Sequence, residues 1–238
     1  VNTRINPTLN GPPHLGHAYL ALVNQHAARS TGGRFILRGE DDQTSWLRLH
    51  TQEQMRAWGR DWLRDLAWLG IVPDEYIVES LQARVVDAAI RRAWPNERDT
   101  GLFHFAPQVV GDTAEHYPYT VYLTARVAYL DHMAGVDCVI VGHDLLSRYS
   151  LYCYVCETLG LPIPRQVFLP RLVYDDGGQV GAVSKHGGAM RIVALREAGM
   201  QPGRVLELLR RACLKDWQGE WSLDNIQPRP ALLKEWFE

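Results

Sequence analysis

The chain has 238 residues, 46% apolar and 22% charged, a composition that supports a sizeable core and excludes disorder, a collagen-like repeat and a disulfide scaffold. Its 25 basic and 27 acidic residues leave a formal charge of −2 with no long like-charged block, so bulk electrostatics announce neither a nucleic-acid partner nor a membrane. Four cysteines in a chain of this length, with no apolar run long enough for a bilayer and no signal-peptide pattern, lead us to expect a cytoplasmic protein of one large domain and a small appendage.

In chain order, residues 1–5 read as a short strand, and the Asn6 to Pro13 stretch leads into a helix from about Leu15 to Arg29 that Gly32 and Gly33 end. Arg34 to Arg38 reads as the next strand, so strand, loop, helix and strand form one crossover unit with a parallel sheet. A longer helix follows, with Met55, Trp58, Trp62, Leu66 and Leu69 on a core-facing stripe closed by Gly70. Residues 94–118 are interrupted by Pro, Gly and Asp and suggest a short insertion. Beyond them we expect a helix near 120–134, a buried strand Val136 to Val141, a helix from about Leu146 to Thr158 ended by Gly160, and a strand at Val167 to Leu169. A hairpin around Asp175 to Gly178 precedes a Gly-rich loop, Val183 to Gly188. A helix lined by Val205, Leu208, Leu209 and Ala212 follows, with Arg204, Arg210, Arg211 and Lys215 on its other side.

Three motifs carry chemistry. Gly11-Pro12-Pro13-His14-Leu15-Gly16-His17 places two histidines three apart at a helix N-terminus, where amide donors, the helix dipole and imidazole donors converge on a phosphate; the plainer reading is a helix that begins with two capping histidines. Val183-Ser184-Lys185 puts a compact ammonium on a loop that can reach a phosphorus whose charge builds in the transition state, and Lys185 is one of only three lysines beside 22 arginines. Gly142-His143-Asp144 follows a buried strand, where a glycine admits a flat ring against the backbone and an aspartate can accept from sugar hydroxyls or simply cap a helix. Cys153 and Cys156 lie inside a helix with no second pair nearby, so no metal site and no zinc are expected.

The order of these motifs resembles the catalytic part of class I aminoacyl-tRNA synthetases, in particular the glutamyl-tRNA synthetases and the glutamyl-Q tRNA(Asp) synthetases. Thr3 to Gly11 is similar to the family's TRFAPSPTG, His14-Leu15-Gly16-His17 to its HIGH signature, Phe35 to Asp41 to FLLRIED, and Val183-Ser184-Lys185 to the KMSKS loop. The resemblance implies an α/β, Rossmann-like parallel sheet with a much-reduced insertion at about 94–120. Residues 1–190 would be the nucleotide-binding catalytic domain and 191–238 a C-terminal helical segment. It further implies that His14, Gly16 and His17, with Gly11, hold ATP phosphates, that Ser184 and Lys185 close over them, and that Gly142 and Asp144 meet the nucleoside. Arg4, Thr8 and Glu40 would face the amino acid, a role that a carboxylate at a strand's end also suits by itself; Asp41 and Asp42 read as structural or solvated. ATP with magnesium and an amino acid are the implied substrates and cofactor.

Several positions depart from the family's pattern. Its arginine that reads the substrate's side-chain carboxylate falls on Val141, and its upstream tyrosine and asparagine fall on Leu123 and Val127, so the pocket looks apolar. Free glutamate is then expected to be a poor substrate unless Arg4 or Arg126 takes over, because an unpaired carboxylate costs several kcal/mol. Ala182 replaces the first basic residue of the lysine loop, Phe103-His104-Phe105 stands where some relatives carry zinc-binding cysteines, and no counterpart of the anticodon-binding domains is seen. The expected reaction is aminoacyl-adenylate formation and acyl transfer to an acceptor, read by subtraction as a small amine. A tRNA acceptor of the glutamyl-Q kind is the alternative, and a pseudo-synthetase without turnover or a nucleotidylyltransferase are rivals.

Overall fold

The computed structural model describes residues 1–41, 49–93, 117–169, 173–176, 179–182, 191–213 and 231–232. Five parallel strands form the main sheet in the order β3-β2-β1-β4-β5: β1 (Thr3–Ile5), β2 (Phe35–Gly39), β3 (Glu75–Val78), β4 (Cys138–Gly142) and β5 (Arg165–Leu169). β1 pairs with β2 at Thr3↔Phe35 and with β4 at Thr3↔Cys138, so the order reverses between β1 and β4. That reversal opens a crevice beyond the strands' carboxyl ends, the place where open α/β sheets bind ligands.

Alternation along the strands decides the layers. Phe35 and Leu37 of β2 enter the same core as Cys138 and Ile140 of β4, whereas Ile36 and Val139 turn to the other face. The first face is covered by α1 (Leu15–Ser30), α2 (Gln52–Trp68), α6 (Ile192–Glu197) and α7 (Pro202–Cys213), which supply Leu15, Trp62, Ile192 and Val205. A second cluster, with Val86, Val121 and Leu151, joins α3 (Ala83–Ala93), α4 (Tyr117–Met133) and α5 (Tyr149–Leu159). Met55, Trp62, Leu66 and Leu69 of the expected stripe are buried, and Trp58 is partly so. α2 starts on a capping box, Thr51 with Gln54, and α5 ends at Gly160, whose φ of +65° suits glycine.

The expected elements recur within a few residues, but β3 and α3 were not foreseen. β3 is a four-residue edge strand with no fully buried position, so its sequence carries no strong alternation. The helix expected from Leu146 begins instead as a 3-10 helix, His143–Arg148, before α5. The hairpin is present as β6 (Val173–Asp176) and β7 (Gln179–Ala182), antiparallel. After residue 190 the chain adds a strand to the expected helices: β8 (Ala231–Leu232) runs parallel to β6. Residues 94–116, with Phe103, His104 and Phe105, lie outside the described residues, as does Asp42. Among the described residues no helix is long and apolar enough to cross a membrane.

Candidate active site at the crossover of the sheet

β1 delivers the chain to the crevice, and Pro7, which has no N–H to give, ends its ladder. The next contacts continue toward β2: Glu40 N–H donates to the Pro7 carbonyl at 3.0 Å and Leu9 N–H to the Glu40 carbonyl at 2.9 Å. This bridge sets Thr8 beside Glu40, and the Thr8 hydroxyl donates to Glu40 Oε2 at 2.5 Å. Gly11, at φ +153°, turns the chain so that its carbonyl accepts Trp62 Nε1–H at 3.0 Å.

α1 then begins on its histidines. His14 is the N-cap; its Nδ1 accepts Gly16 N–H at 3.1 Å, and His17 Nδ1 accepts His14 N–H at 3.3 Å. The two rings stack with centroids 3.6 Å apart, and His17 leans on Trp62 at 4.5 Å. The capping reading of these histidines is therefore realised in the structure. It does not by itself exclude a phosphate role, because a neutral imidazole whose Nδ1 accepts carries its proton on Nε2, which is a donor.

A cavity of about 420 Å³ lies at the crossover. Nine of the residues singled out in the sequence line it: Arg4, Thr8, His17, Glu40, Leu123, Val127, Val141, Gly142 and Asp144. Gly11, His14 and Gly16 stand at the α1 terminus and do not line it, and Ser184 and Lys185 lie outside the described residues. Asp144 sits exposed in the first turn of the 3-10 helix, and no side chain caps that helix, so the capping alternative for Asp144 does not hold. Asp41 is structural as expected: fully buried, it accepts from Arg56 at 3.0 Å and from the Ser80 amide and hydroxyl at 2.9 and 2.7 Å.

Of the two arginines expected to meet a substrate carboxylate, Arg4 lines the cavity and Arg126 does not. Arg4 borders the cavity, but its Nε and Nη2 both donate to Asp131 at 2.9 Å. Asp131 also accepts from Arg38 at 2.7 Å and from the Tyr152 hydroxyl at 2.9 Å. Burial pushes the Asp131 carboxyl up, yet the two guanidinium groups outweigh that and hold it below the usual carboxylate range. Arg4 is thus part of a buried charge network whose positive charge is already matched. Arg126 is buried over the Tyr122 ring, 5.7 Å from its centroid, and does not line the cavity, because its place on α4 turns it away.

A smaller cavity of about 120 Å³ shares Arg4, Leu123, Val127, Val141, Leu145 and Arg148 with the larger one and extends to Val139, Tyr152 and Gln166. Sequence reasoning missed Arg148, Tyr152 and Trp62 as parts of this site. The spacing held a signal for two of them: Tyr152 follows Arg148 by four residues, the repeat that puts two α-helical side chains on one face. Among the described residues no group of three His, Cys, Asp or Glu is placed to hold a metal, and Cys153 and Cys156 are free thiols of α5, burial pushing Cys156 up to about 12.

Comparison with known proteins adds to this geometry. The family model described as tRNA synthetases class I (E and Q), catalytic domain, matches residues 1–91. The glutamyl-Q tRNA(Asp) synthetase of Ectopseudomonas mendocina is 27% identical over 98% of this chain and 96% of its own length. The glutamate–tRNA ligase 1 of Novosphingobium aromaticivorans is 36% identical over 90% of this chain, which spans 61% of that protein. A crystal structure of a glutamate tRNA ligase from Elizabethkingia meningosepticum in complex with its amino acid superposes with a TM-score of 0.75 at 16% identity, covering 100% of this chain and 68% of that one, a likeness of fold.

Proposed function

Because the chain belongs to the class I aminoacyl-tRNA synthetases of the glutamate and glutamine type, a family of ligases, we propose that it joins glutamate to AMP and transfers the glutamyl group to a tRNA. The substrate carboxylate attacks the α-phosphorus of ATP and pyrophosphate leaves; a tRNA hydroxyl then takes the acyl group and AMP leaves. The first step needs no general base, because the carboxylate is already ionised at pH 7. Catalysis would be positioning and charge stabilisation.

The observation that carries the reading is the meeting of two chemistries at one crevice. The α1 N-terminus brings His17 to the cavity lining and offers amide and imidazole donors suited to phosphate oxygens. On the same lining Glu40, held by Thr8, offers a carboxylate for an α-ammonium. Gly142 and Asp144 lie at the end of β4 beside them, suited to the nucleoside. Ser184 and Lys185 are proposed to close over the phosphates, and magnesium to enter with the nucleotide.

The proposed acceptor differs from the small amine expected from the reduced tRNA-gripping parts and the net charge. That inference took the shortness of the chain as loss of the parts that grip tRNA. The Ectopseudomonas relative, named for a tRNA, is covered over 96% of its length, so a chain this short is compatible with a tRNA acceptor. The test is amino-acid-dependent exchange of labelled pyrophosphate into ATP, measured with and without tRNA, followed by acid-precipitable transfer of labelled glutamate to total tRNA. Exchange with no transfer would return the acceptor to a small molecule, and no exchange with any amino acid would refute adenylation.

A further inference from the structure

The cations around the cavity are not equivalent. Arg4 is buried and donates twice to Asp131, and Arg38 is buried, donates to Asp131 and Asn6 and pairs with Glu79 at 2.9 Å. Arg148, at the end of the 3-10 helix that joins β4 to α5, is exposed and borders both the large cavity and its smaller extension. It has no ion pair or hydrogen bond among the described residues. The same lining includes the aliphatic walls of Leu123, Val127 and Val141.

An amino acid whose ammonium is held at Glu40 must lay its side chain along those walls. A chain of methylenes suits them, but a terminal carboxylate does not, since an unpaired charge against apolar surface is expensive. Val141 offers no compensation, Arg4 has Nε and Nη2 committed to Asp131, and Arg126 is outside the cavity. Among the described residues Arg148 is the remaining cation on the lining, and a guanidinium binds a carboxylate with two parallel N–H donors. We propose that Arg148 reads the side-chain carboxylate of an acidic amino acid, and so makes this pocket specific for glutamate although position 141 is a valine. The inference rests on the adenylation reading for its purpose, but not for its test.

Calorimetric binding of L-glutamate, L-aspartate and L-glutamine to the full chain, with ATP binding measured in parallel, tests it. Wild-type protein should bind glutamate at least about tenfold more tightly than glutamine, the usual scale for one charge-assisted contact. Arg148→Gln should bring that ratio close to one, Arg148→Lys should keep part of it, and both should bind ATP as before. A ratio is insensitive to general damage, so a mildly unstable variant still reports. The proposal is overturned if wild type binds no acidic amino acid, if it prefers glutamine, if the ratio survives Arg148→Gln, or if that variant loses ATP and not glutamate. Pyrophosphate exchange across all amino acids with tRNA present separates the two ideas: its complete absence refutes adenylation, whereas Arg148-dependent glutamate binding would still stand.

Discussion

His14 and His17 serve the backbone with one nitrogen each, so simple truncation would mix two effects, the lost helix cap and the lost imidazole. Substitutions that keep the cap separate them. Asparagine is a good N-cap, and glutamine at the third helical position can complete a capping box, so His14→Asn and His17→Gln should melt close to wild type. If the Nε2–H edges meet phosphate oxygens, each variant should lose about a hundredfold or more of pyrophosphate exchange. Exchange near the wild-type rate in both would reduce these histidines to caps. Asp131 gives a second prediction at this scale. It is 1% exposed and neutralises Arg4 and Arg38, so Asp131→Asn leaves buried cations under-compensated and should cost about 3–5 kcal/mol at neutral pH. The folded pKa of Asp131 is depressed, so its contribution is present above the ordinary carboxylate pKa of about 4 and is lost as pH falls through the lower folded value. Denaturant titrations of wild type and variant should therefore converge in acid, and a gap that stays constant with pH would contradict the network.

At the level of elements, α6 is short, and a charged contact helps hold it to α2. Arg196 of α6 reaches the fully buried Asp65 at 2.9 Å, and Arg64 reaches the same oxygen at 3.4 Å. Burial raises the Asp65 pKa, and the two arginines oppose that rise. Arg196→Ala should destabilise the chain by about 1–3 kcal/mol, because a buried charged acceptor loses a donor. With Asp65 raised further, the variant's deficit should shrink as the pH is lowered and the carboxyl takes a proton, which equilibrium unfolding at two pH values would detect. Elements differ in how openly the sequence announces them. α1, α2 and β4 carry strong periodicity and terminal signals, whereas β3 is a half-buried edge whose pairing with β2, Ile36↔Glu75 through Gly39↔Val78, supplies the order its sequence lacks.

For the whole molecule the open question is how a chain of net charge −2 would engage a polyanion. Arg91 and Arg92 end α3, exposed and next to the segment that leads into the insertion. If tRNA binds along that side, Arg91→Glu with Arg92→Glu should raise the apparent KM for tRNA while leaving tRNA-independent ATP binding unchanged. Added salt should weaken tRNA binding steeply, since about six phosphate contacts lose roughly a thousandfold in affinity between about 50 and 200 mM salt. Weak dependence on salt, or indifference to the double reversal, would argue for a different docking side.

The sequence by itself determined the crossover architecture, and the reaction class through the family it resembles, because both reside in short segments read locally: two histidines at a helix start, a glycine and aspartate after a buried strand, and strands apolar enough for burial on both faces. Tertiary structure decided which charges remain available to a substrate. Arg4 and Asp131 are 127 residues apart, and whether they meet depends on β1 and β4 lying side by side and on the rotation of α4 over them. That pairing commits Nε and Nη2 of Arg4 to Asp131, and the 3-10 helix after β4 brings Arg148 to the cavity. Neither is visible in local patterning, because a side chain's electrostatic role is set by neighbours that only strand register and helix rotation bring within hydrogen-bond distance.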